Sequence, residues 1–317
     1  MKSGTKKVIA LILTLVLGFS VLSACSNNEA KTDDQSNPSG STDPNGSNSS
    51  GNTDSFDSSK PITVISREDG SGTRSAFIEL FGVQSSQSDG SKKDNTTREA
   101  IIADKTDVMM TNVANDPYAI GYISLGSMNS TIKALDIDGI AATAQNVKNG
   151  TYPIQRPFII ATKGDPTGLT KDFIDYILST EGQAVVESRG YTAIVDNASP
   201  YTGGRPSGRI VIGGSSSVTP LMEVLREEYL KVNPNATIEI QMSDSSAGMS
   251  GTMEGSFDIG MASRELKESE LAVLKPVEIA KDGIAVIVNV NNPLTNLTKE
   301  QVKAIYTGET LNWSELQ

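Results

Sequence analysis

The sequence predicts an α/β fold with two domains, and three observations lead to that prediction. Short apolar runs rich in Val and Ile alternate with helical segments from Pro61 onward, which is typical of α/β proteins. The 317 residues suffice for two domains of ordinary size. Hydrophobic residues make up 37% of the chain and charged residues 21%, which fits a folded body that is soluble in water.

The first 60 residues are predicted to lie outside the folded body. Three lysines precede the apolar run VIALILTLVLGFSVL, which is too short for a membrane span and indicates a signal peptide over residues 1–24. The segment LSAC resembles a lipobox, which implies that Cys25 is lipidated and anchors the chain on the extracytoplasmic face of the cell membrane. An ordinary signal peptide with an incidental cysteine is the alternative. Residues 25–60 contain few apolar side chains, so a disordered linker is expected after the lipidated cysteine.

The folded part is predicted to contain eight strands and eight helices. The strands are short apolar runs bounded by polar turns, and they are predicted at 62–66, 108–112, 119–125, 157–162, 209–214, 237–243, 258–263 and 284–289. The helices are predicted at 73–81, 97–103, 170–179, 181–189, 220–232, 247–254, 267–273 and 298–306. In helix 220–232, Pro220 suits the first turn, while Leu221, Leu225 and Tyr229 share one face.

Composition excludes several classes of function. The chain has no histidine, which removes Ser-His-Asp and Cys-His catalysis, histidine metal ligands and histidine pH switching. One cysteine allows neither an intrachain disulfide nor a CxxC metal site. A net charge of −11 disfavours nucleic-acid binding through a basic face, so any anion site must concentrate positive potential locally.

Three strand-to-helix turns share a serine-rich composition that suits an anion. They are DGSGTR before helix 73–81, GSSSVTP before helix 220–232 and SDSSAGMSG before helix 247–254. The free N–H groups and the dipole at a helix start attract negative charge, and serine hydroxyls add donors. One such turn alone is usually a helix cap, but three of them, together with Arg67, Arg74 and Arg264, favour an anion site. No turn has the complete nucleotide-binding pattern, which favours a small oxyanion.

The segment ISREDGSGTRSAF resembles the PstS-type phosphate-binding proteins of ABC importers. The likeness continues through AIGYISLG, RPFIIATKGDPTGLT, IVIGGSSSVTPLMEVLREEY, FDIGMASRELK and IYTGETLNW, and it covers Pro61 to Gln317. It implies the two-lobe type II periplasmic-binding-protein fold, with the anion held in the cleft between the lobes.

The order of these segments differs from the family's order. In the family, IVIGGSSSVTP comes first and YTGE…NW leads into ITVISREDGSGT, whereas here ITVIS comes first and IYTGETLNWSELQ comes last. The resemblance therefore implies a circular permutation, joined at 197–209 by a connector rich in Gly, Pro, Ser and Asn. One lobe would be continuous, at 157–286, and the other split into 61–156 and 287–317. The C-terminal TLNWSEL is then expected to pack with ITVIS.

The resemblance also implies which residues bind phosphate. Arg67 would supply the positive charge, and the serine-rich turns would supply hydroxyl and backbone N–H donors. A carboxylate such as Asp69 is expected to hold the Arg67 guanidinium in place. The residues carried over from the family's phosphate contacts are Arg67, Ser71, Gly72, Thr73, Ser217, Val218, Thr219 and Ser245, with Val218 acting through its backbone.

Arg264 departs from the family pattern. The family commonly has an aspartate at this position, where it accepts the proton of hydrogen phosphate. A second cation adds attraction, so Arg264 is predicted to line the cleft and bind the anion. Rejection of sulfate is then looser or depends on another acceptor, for which Asp69, Asp244 and Glu68 are candidates. The alternative is that Arg264 points to solvent or pairs with Glu265.

The predicted function is that of a membrane-tethered, monomeric binding protein that captures inorganic phosphate and delivers it to the permease subunits of an ABC transporter. No cofactor, metal or nucleic acid is expected. One alternative is a sensory or adhesive lipoprotein that uses the same cleft, and another is a binder of a different tetrahedral oxyanion such as sulfate. A hydrolase of phosphate esters is disfavoured, because the chain has neither histidine nor a clustered set of acidic ligands.

Overall fold

The computed structural model describes residues 56–195 and 197–316, which contain thirteen strands, nine α-helices and two short 3-10 helices, Leu125–Ser127 and Trp313–Leu316. The strands are β1 Thr63–Arg67, β2 Gln84–Ser86, β3 Lys92–Asp94, β4 Ile101–Ala103, β5 Ala119–Ser124, β6 Ile132–Ala134, β7 Asp136–Ile137, β8 Gln155–Lys163, β9 Gly208–Ser215, β10 Ala236–Ser243, β11 Ile259–Ala262, β12 Leu274–Asn289 and β13 Asn296–Leu297. The helices are α1 Gly72–Leu80, α2 Thr106–Asn115, α3 Ala144–Lys148, α4 Gly168–Ile177, α5 Thr180–Ser188, α6 Thr219–Val232, α7 Ser245–Glu254, α8 Glu268–Leu271 and α9 Lys299–Thr307. The mixture confirms the predicted α/β class.

The predicted signal peptide, Cys25 and the linker up to residue 55 lie outside the described residues. The end of the predicted linker, residues 56–60, is part of the folded body. The Phe56 ring lies 5.2 Å from the Tyr118 ring and 5.9 Å from the Trp313 ring, measured between centroids. The packed body therefore begins before the predicted boundary. Within the described residues, none of the helices is both long enough and apolar enough to cross a membrane.

One nine-stranded sheet organises the described residues, in the order β10-β9-β11-β8-β12-β5-β1-β4, with β6 also paired to β12. Strands β9, β10 and β11 run parallel on one side, and β1, β4 and β5 run parallel on the other. The 16-residue β12 joins the two sides, because its first part pairs with β8 and its second part pairs with β5, both antiparallel. The parallel strands on each side end in turns that start helices.

The buried apolar side chains form four clusters, and the boundary between two of them and the other two falls at β8 and within β12. Two clusters contain only buried residues from the range 158–280, and the other two contain only buried residues from 64–154 and 284–313. All these residues nevertheless belong to one compact unit, and the boundaries of the two lobes stay a prediction. Trp313 packs in the same cluster as Val64 of β1, as the sequence predicts. Its indole N–H donates to the Tyr118 carbonyl at 3.2 Å.

Two predicted elements are wrong. The segment 108–112 belongs to α2, because Met109 and Val113 lie four residues apart on one helical face and are fully buried. The predicted helix 97–103 is instead a turn followed by β4, whose residues pair with β1. Both errors come from short apolar runs, for which periodicity alone does not distinguish a strand from a buried helix.

The connector 197–209 is fixed to the helices beside it. The Asp172 carboxylate of α4 accepts bonds from the Tyr201 hydroxyl and from the Gly204 N–H at 2.9 Å, and also from the Tyr229 hydroxyl of α6 at 2.6 Å. Asn233 donates to the Pro206 carbonyl at 3.0 Å. These bonds hold the chain close to the start of β9, so the polar composition of the connector does not make it a loose loop.

Candidate functional site

Four helix starts meet at the ends of the parallel strands. Helix α1 follows β1, α2 follows β4, α6 follows β9 and α7 follows β10. The carboxyl ends of parallel strands are where α/β proteins bind ligands, and the N–H groups of each first helical turn have no partner inside the helix. The sequence predicts three of these starts. It does not predict the fourth, that of α2, because the run VMMTN within this helix predicts a strand.

The helix starts touch one another across the sheet. The hydroxyls of Thr73 in α1 and Ser217 before α6 lie 2.8 Å apart. Gly72 lies so close to α7 that a Cβ at its position would be 2.3 Å from Ser245 Oγ and 2.8 Å from Ser263 Oγ. Only glycine fits such an approach without displacing these serine side chains. Two segments that are 144 residues apart in the sequence thus share one buried polar cluster.

Arg67 lies at the centre of this cluster and is 1% exposed. Its Nε and Nη2 donate to the two carboxylate oxygens of Glu68, each at 2.8 Å. Nε also donates to the Ala103 carbonyl at 3.2 Å, which fixes the guanidinium against β4. Nη2 donates to Ser216 Oγ at 3.0 Å and Nη1 to Thr106 Oγ1 at 3.4 Å. One edge of the planar group is therefore held by Glu68, and the other faces hydroxyls.

The expected anchor of Arg67 is wrong. Asp69 is fully exposed on its side chain and pairs with Arg74 at 2.9 Å, so it does not hold Arg67. Arg74 is also held by Asp94 at 2.9 Å and donates to the Arg67 carbonyl at 2.7 Å. Burial raises the pKa of Asp94, but the bonds from Thr96 and the Arg74 charge outweigh it and lower the pKa overall. Glu68, the residue adjacent to Arg67, takes the role that the sequence assigns to Asp69.

A second group of hydroxyls lines the side of the cluster formed by β9, β11 and α7. Ser215 Oγ donates to Ser263 Oγ at 3.0 Å, and Ser245 Oγ accepts the Ser263 N–H at 3.2 Å. All three residues are buried. Ser71 is buried directly before α1 and caps this helix, since its hydroxyl accepts the Arg74 N–H at 3.2 Å. The hydroxyl proton of each serine can turn toward an acceptor, so these side chains are potential donors to an anion.

Val218 and Thr219 each already donate one hydrogen bond within the protein. The Val218 N–H donates to the Ser215 carbonyl at 3.1 Å, and Thr219 Oγ1 donates to the same carbonyl at 3.0 Å. The N–H of Thr219 stands in the first turn of α6, where the helix itself supplies no acceptor. The structure thus places both residues at the site, with the backbone of Thr219 as the more available donor.

Arg264 is buried and paired rather than exposed to solvent. Its Nη1 and Nη2 each donate to one carboxylate oxygen of Glu270 at 2.8 Å, and Nη1 also reaches the Glu265 carbonyl at 2.9 Å. Nη2 lies 3.3 Å from Ser246 Oγ, and Ser246 donates through both N–H and Oγ to the Gly70 carbonyl at 3.2 Å. Arg264 therefore touches the site through Ser246.

A buried ion pair lies next to the serine cluster, and no pattern in the sequence predicts it. Arg156 of β8 and Asp282 of β12 are opposite residues in the sheet, and Arg156 donates to Asp282 at 2.9 and 3.1 Å. Arg156 Nη1 also holds the Ser263 carbonyl at 3.0 Å, and Ser124 at the end of β5 donates to Asp282 at 3.0 Å. The pair thus ties together strand ends from both sides of the sheet.

The first strand is held by aromatic side chains. The Tyr122 hydroxyl accepts the Arg67 N–H at 3.0 Å and lies 2.9 Å from Ser66 Oγ. Burial raises the pKa of Tyr122 to about 12, so the hydroxyl stays protonated at neutral pH. Its ring stacks on Phe77 of α1 at 3.9 Å between centroids. These contacts set the direction in which β1 leads into the site.

Comparisons with known proteins show which proteins the chain resembles. Residues 48–181 and 199–317 match the family model PBP_like_2, which describes a PBP superfamily domain. The phosphate-binding protein PstS 2 of Streptococcus agalactiae is 54% identical over 266 residues, which cover 83% of this chain and 90% of that protein. The crystal structure of a phosphate-binding protein of a phosphate ABC transporter from Streptococcus pneumoniae is 41% identical. It covers 81% of this chain and 100% of that chain, with a TM-score of 0.66. The phosphate-binding protein PstS of Bacillus subtilis is 35% identical over 137 residues, which cover 43% of this chain and 42% of that protein. The matches confirm the predicted periplasmic-binding-protein fold.

Proposed function

The chain belongs to the PBP superfamily, and we propose that it binds inorganic phosphate at the cluster around Arg67 and delivers it to an ABC permease. One observation carries this proposal: helix starts from both sides of the sheet bring their hydroxyls to the free edge of a buried arginine. Charge-assisted bonds from several such donors can offset the dehydration of a multiply charged oxyanion. The names of the relatives from both streptococci support phosphate as the ligand.

The proposed contacts are those that the sequence suggests, with defined roles. Arg67 offers its free edge, Thr73, Ser217, Ser71 and Ser245 offer hydroxyls, and the backbone at Gly72, Val218 and Thr219 offers positive potential from two helix starts. We propose that Arg264 contributes its charge at the margin of the site, where Glu270 partly balances it. Glu68 and Asp244 remain the carboxylates adjacent to the cluster that could accept the proton of hydrogen phosphate.

Binding requires no covalent chemistry, so the proposed function is not enzymatic. The absence of histidine supports this view, and so does the membership of a superfamily of binding domains. Isothermal titration of the purified full chain in detergent with phosphate and then with sulfate tests the proposal. Saturable heat with phosphate at one site is expected. The absence of such heat would contradict phosphate binding, and tighter binding of sulfate than of phosphate would favour the alternative, a site for a different tetrahedral oxyanion.

We also propose that the chain is a lipoprotein anchored through Cys25 on the extracytoplasmic face of the membrane, and that it acts as a monomer. The apolar run before LSAC and the polar segment after it support this arrangement. Metabolic labelling with a palmitate analogue should mark the wild-type chain and leave Cys25→Ser unlabelled. Equal labelling of both chains would contradict the anchor, and light scattering of the purified protein tests the monomer.

Circular permutation is a further part of the proposal. The Ile62 N–H donates to the Leu311 carbonyl at 2.8 Å, so the two ends of the folded body lie side by side. A circular permutation requires this, because the new chain ends come from a cut within a segment that is continuous in the family. The match to the Bacillus subtilis protein covers 42% of that protein, as expected when one uninterrupted alignment reaches only one side of the joint. The Streptococcus agalactiae protein is matched over 90% of its length, so it has the same segment order as this chain, and the permutation is proposed relative to proteins with the Bacillus subtilis order. A rearranged gene that encodes 209–317 before 61–196 should give a folded, phosphate-binding protein, and an insoluble product would argue against the permutation.

A further inference from the structure

We propose that Thr106, the first residue of α2, is an additional phosphate-contacting residue, an inference that rests on the proposed function. Thr106 is 5% exposed, and its hydroxyl lies among groups from both sides of the sheet. Thr106 Oγ1 is 3.3 Å from Ser216 Oγ, 3.3 Å from Ser217 Oγ and 3.4 Å from Arg67 Nη1. It therefore stands against the free edge of the arginine.

The bonds that Thr106 makes are long, which leaves its hydroxyl available. Hydroxyl-to-hydroxyl bonds in proteins are usually about 2.7–2.8 Å long, so contacts of 3.3 Å are weak. One hydroxyl proton serves only one acceptor, and a phosphate oxygen that enters the cluster would receive it in a shorter, charge-assisted bond. The exchange of weak neutral contacts for such a bond favours binding.

The backbone at Thr106 adds positive potential to the same point. Helix α2 has ten residues, and its N-cap residue Lys105 makes no capping bond through its side chain. The first N–H to find an acceptor at this end is that of Met109, which donates to the Lys105 carbonyl at 3.1 Å. A cavity of about 410 Å³ adjoins this helix start and is lined by Thr106, Ser216 and Thr219 among others. Thr106 therefore borders this cavity and also contacts the guanidinium of Arg67, which does not itself line the cavity.

A pair of variants that differ only in the hydroxyl tests the inference. Isothermal titration of the full chain with inorganic phosphate should give Thr106→Ser an affinity within about threefold of wild type, and Thr106→Ala a dissociation constant at least about tenfold higher. Thr106→Val, which keeps the shape, should resemble Thr106→Ala. The matched control is Thr111→Val on the exposed face of the same helix, where Oγ1 donates to the Asp107 carbonyl, and it should bind like wild type.

The outcomes separate the inference from the function on which it rests. If the wild-type chain binds phosphate and Thr106→Ala binds equally well, the role of Thr106 is wrong and the proposed function stands. If the wild-type chain binds no phosphate, both are wrong. Thermal unfolding of each variant identifies a loss of fold, and in that event the Thr106→Ser and Thr106→Val chains decide the question.

Discussion

Replacement of Arg67 by lysine keeps the positive charge and removes the planar fork. In the structure, Nε and Nη2 are held by Glu68, and Nη1 and Nη2 face the hydroxyls of Thr106 and Ser216. A lysine has one ammonium group, which cannot satisfy Glu68 and reach the hydroxyl side together. At least one charge-assisted bond to the anion is then lost, worth about 1.5–3 kcal/mol, so the dissociation constant should rise roughly 10- to 150-fold.

Isothermal titration with phosphate measures this effect, and the same exchange at Arg209 is its control. Arg209 pairs with Glu239 on the surface, where both side chains are about half exposed, so Arg209→Lys should change the affinity by less than about twofold. Urea unfolding of each variant separates lost binding from lost stability. If a folded Arg67→Lys chain binds phosphate within about threefold of wild type, the guanidinium edge does not contact the anion and the proposed site is wrong.

Three further predictions concern the surroundings of the site. Asp282→Asn should destabilise the fold by about 3 kcal/mol or more in urea unfolding, because Arg156 is left buried without its counter-charge, and an unchanged midpoint would contradict the pairing. Gly72→Ala should weaken phosphate binding at least about tenfold by titration, because its Cβ would lie 2.3 Å from Ser245 Oγ; wild-type affinity would mean that this close approach is not required. Burial raises the pKa of Glu270, but the hydrogen bonds that the carboxylate accepts outweigh burial and lower its pKa overall. The ionised carboxylate therefore stabilises the fold above the pKa that Glu270 has in the unfolded chain, and this stabilisation is lost as the pH falls through its pKa in the folded chain. As the pH falls below about 4.5, the ordinary value for a glutamate, the wild-type chain should lose more stability to urea than Glu270→Gln, and parallel losses would contradict this sign.

The sequence indicated much of the site because helix starts are local features. A serine before a helix binds its first N–H groups within three or four residues, so DGSGTR, SSSVTP and SDSSAG are recognisable without a structure. The same locality placed Arg67 beside the first of these turns. Thr106 was not recognised, because the run VMMTN suits a strand as well as a helix and the capping residue before it, Lys105, gives no signal.

The sequence by itself determined which residues could donate to an anion and that the strands alternate with helices. The tertiary structure alone decided the partners of the charged groups: Glu68 rather than Asp69 holds Arg67, Glu270 pairs with Arg264, and Asp282 meets Arg156 across 126 residues of sequence. The physical reason is that propensities and caps act over a few residues, whereas the pairing of buried charges depends on which strands become neighbours in the sheet.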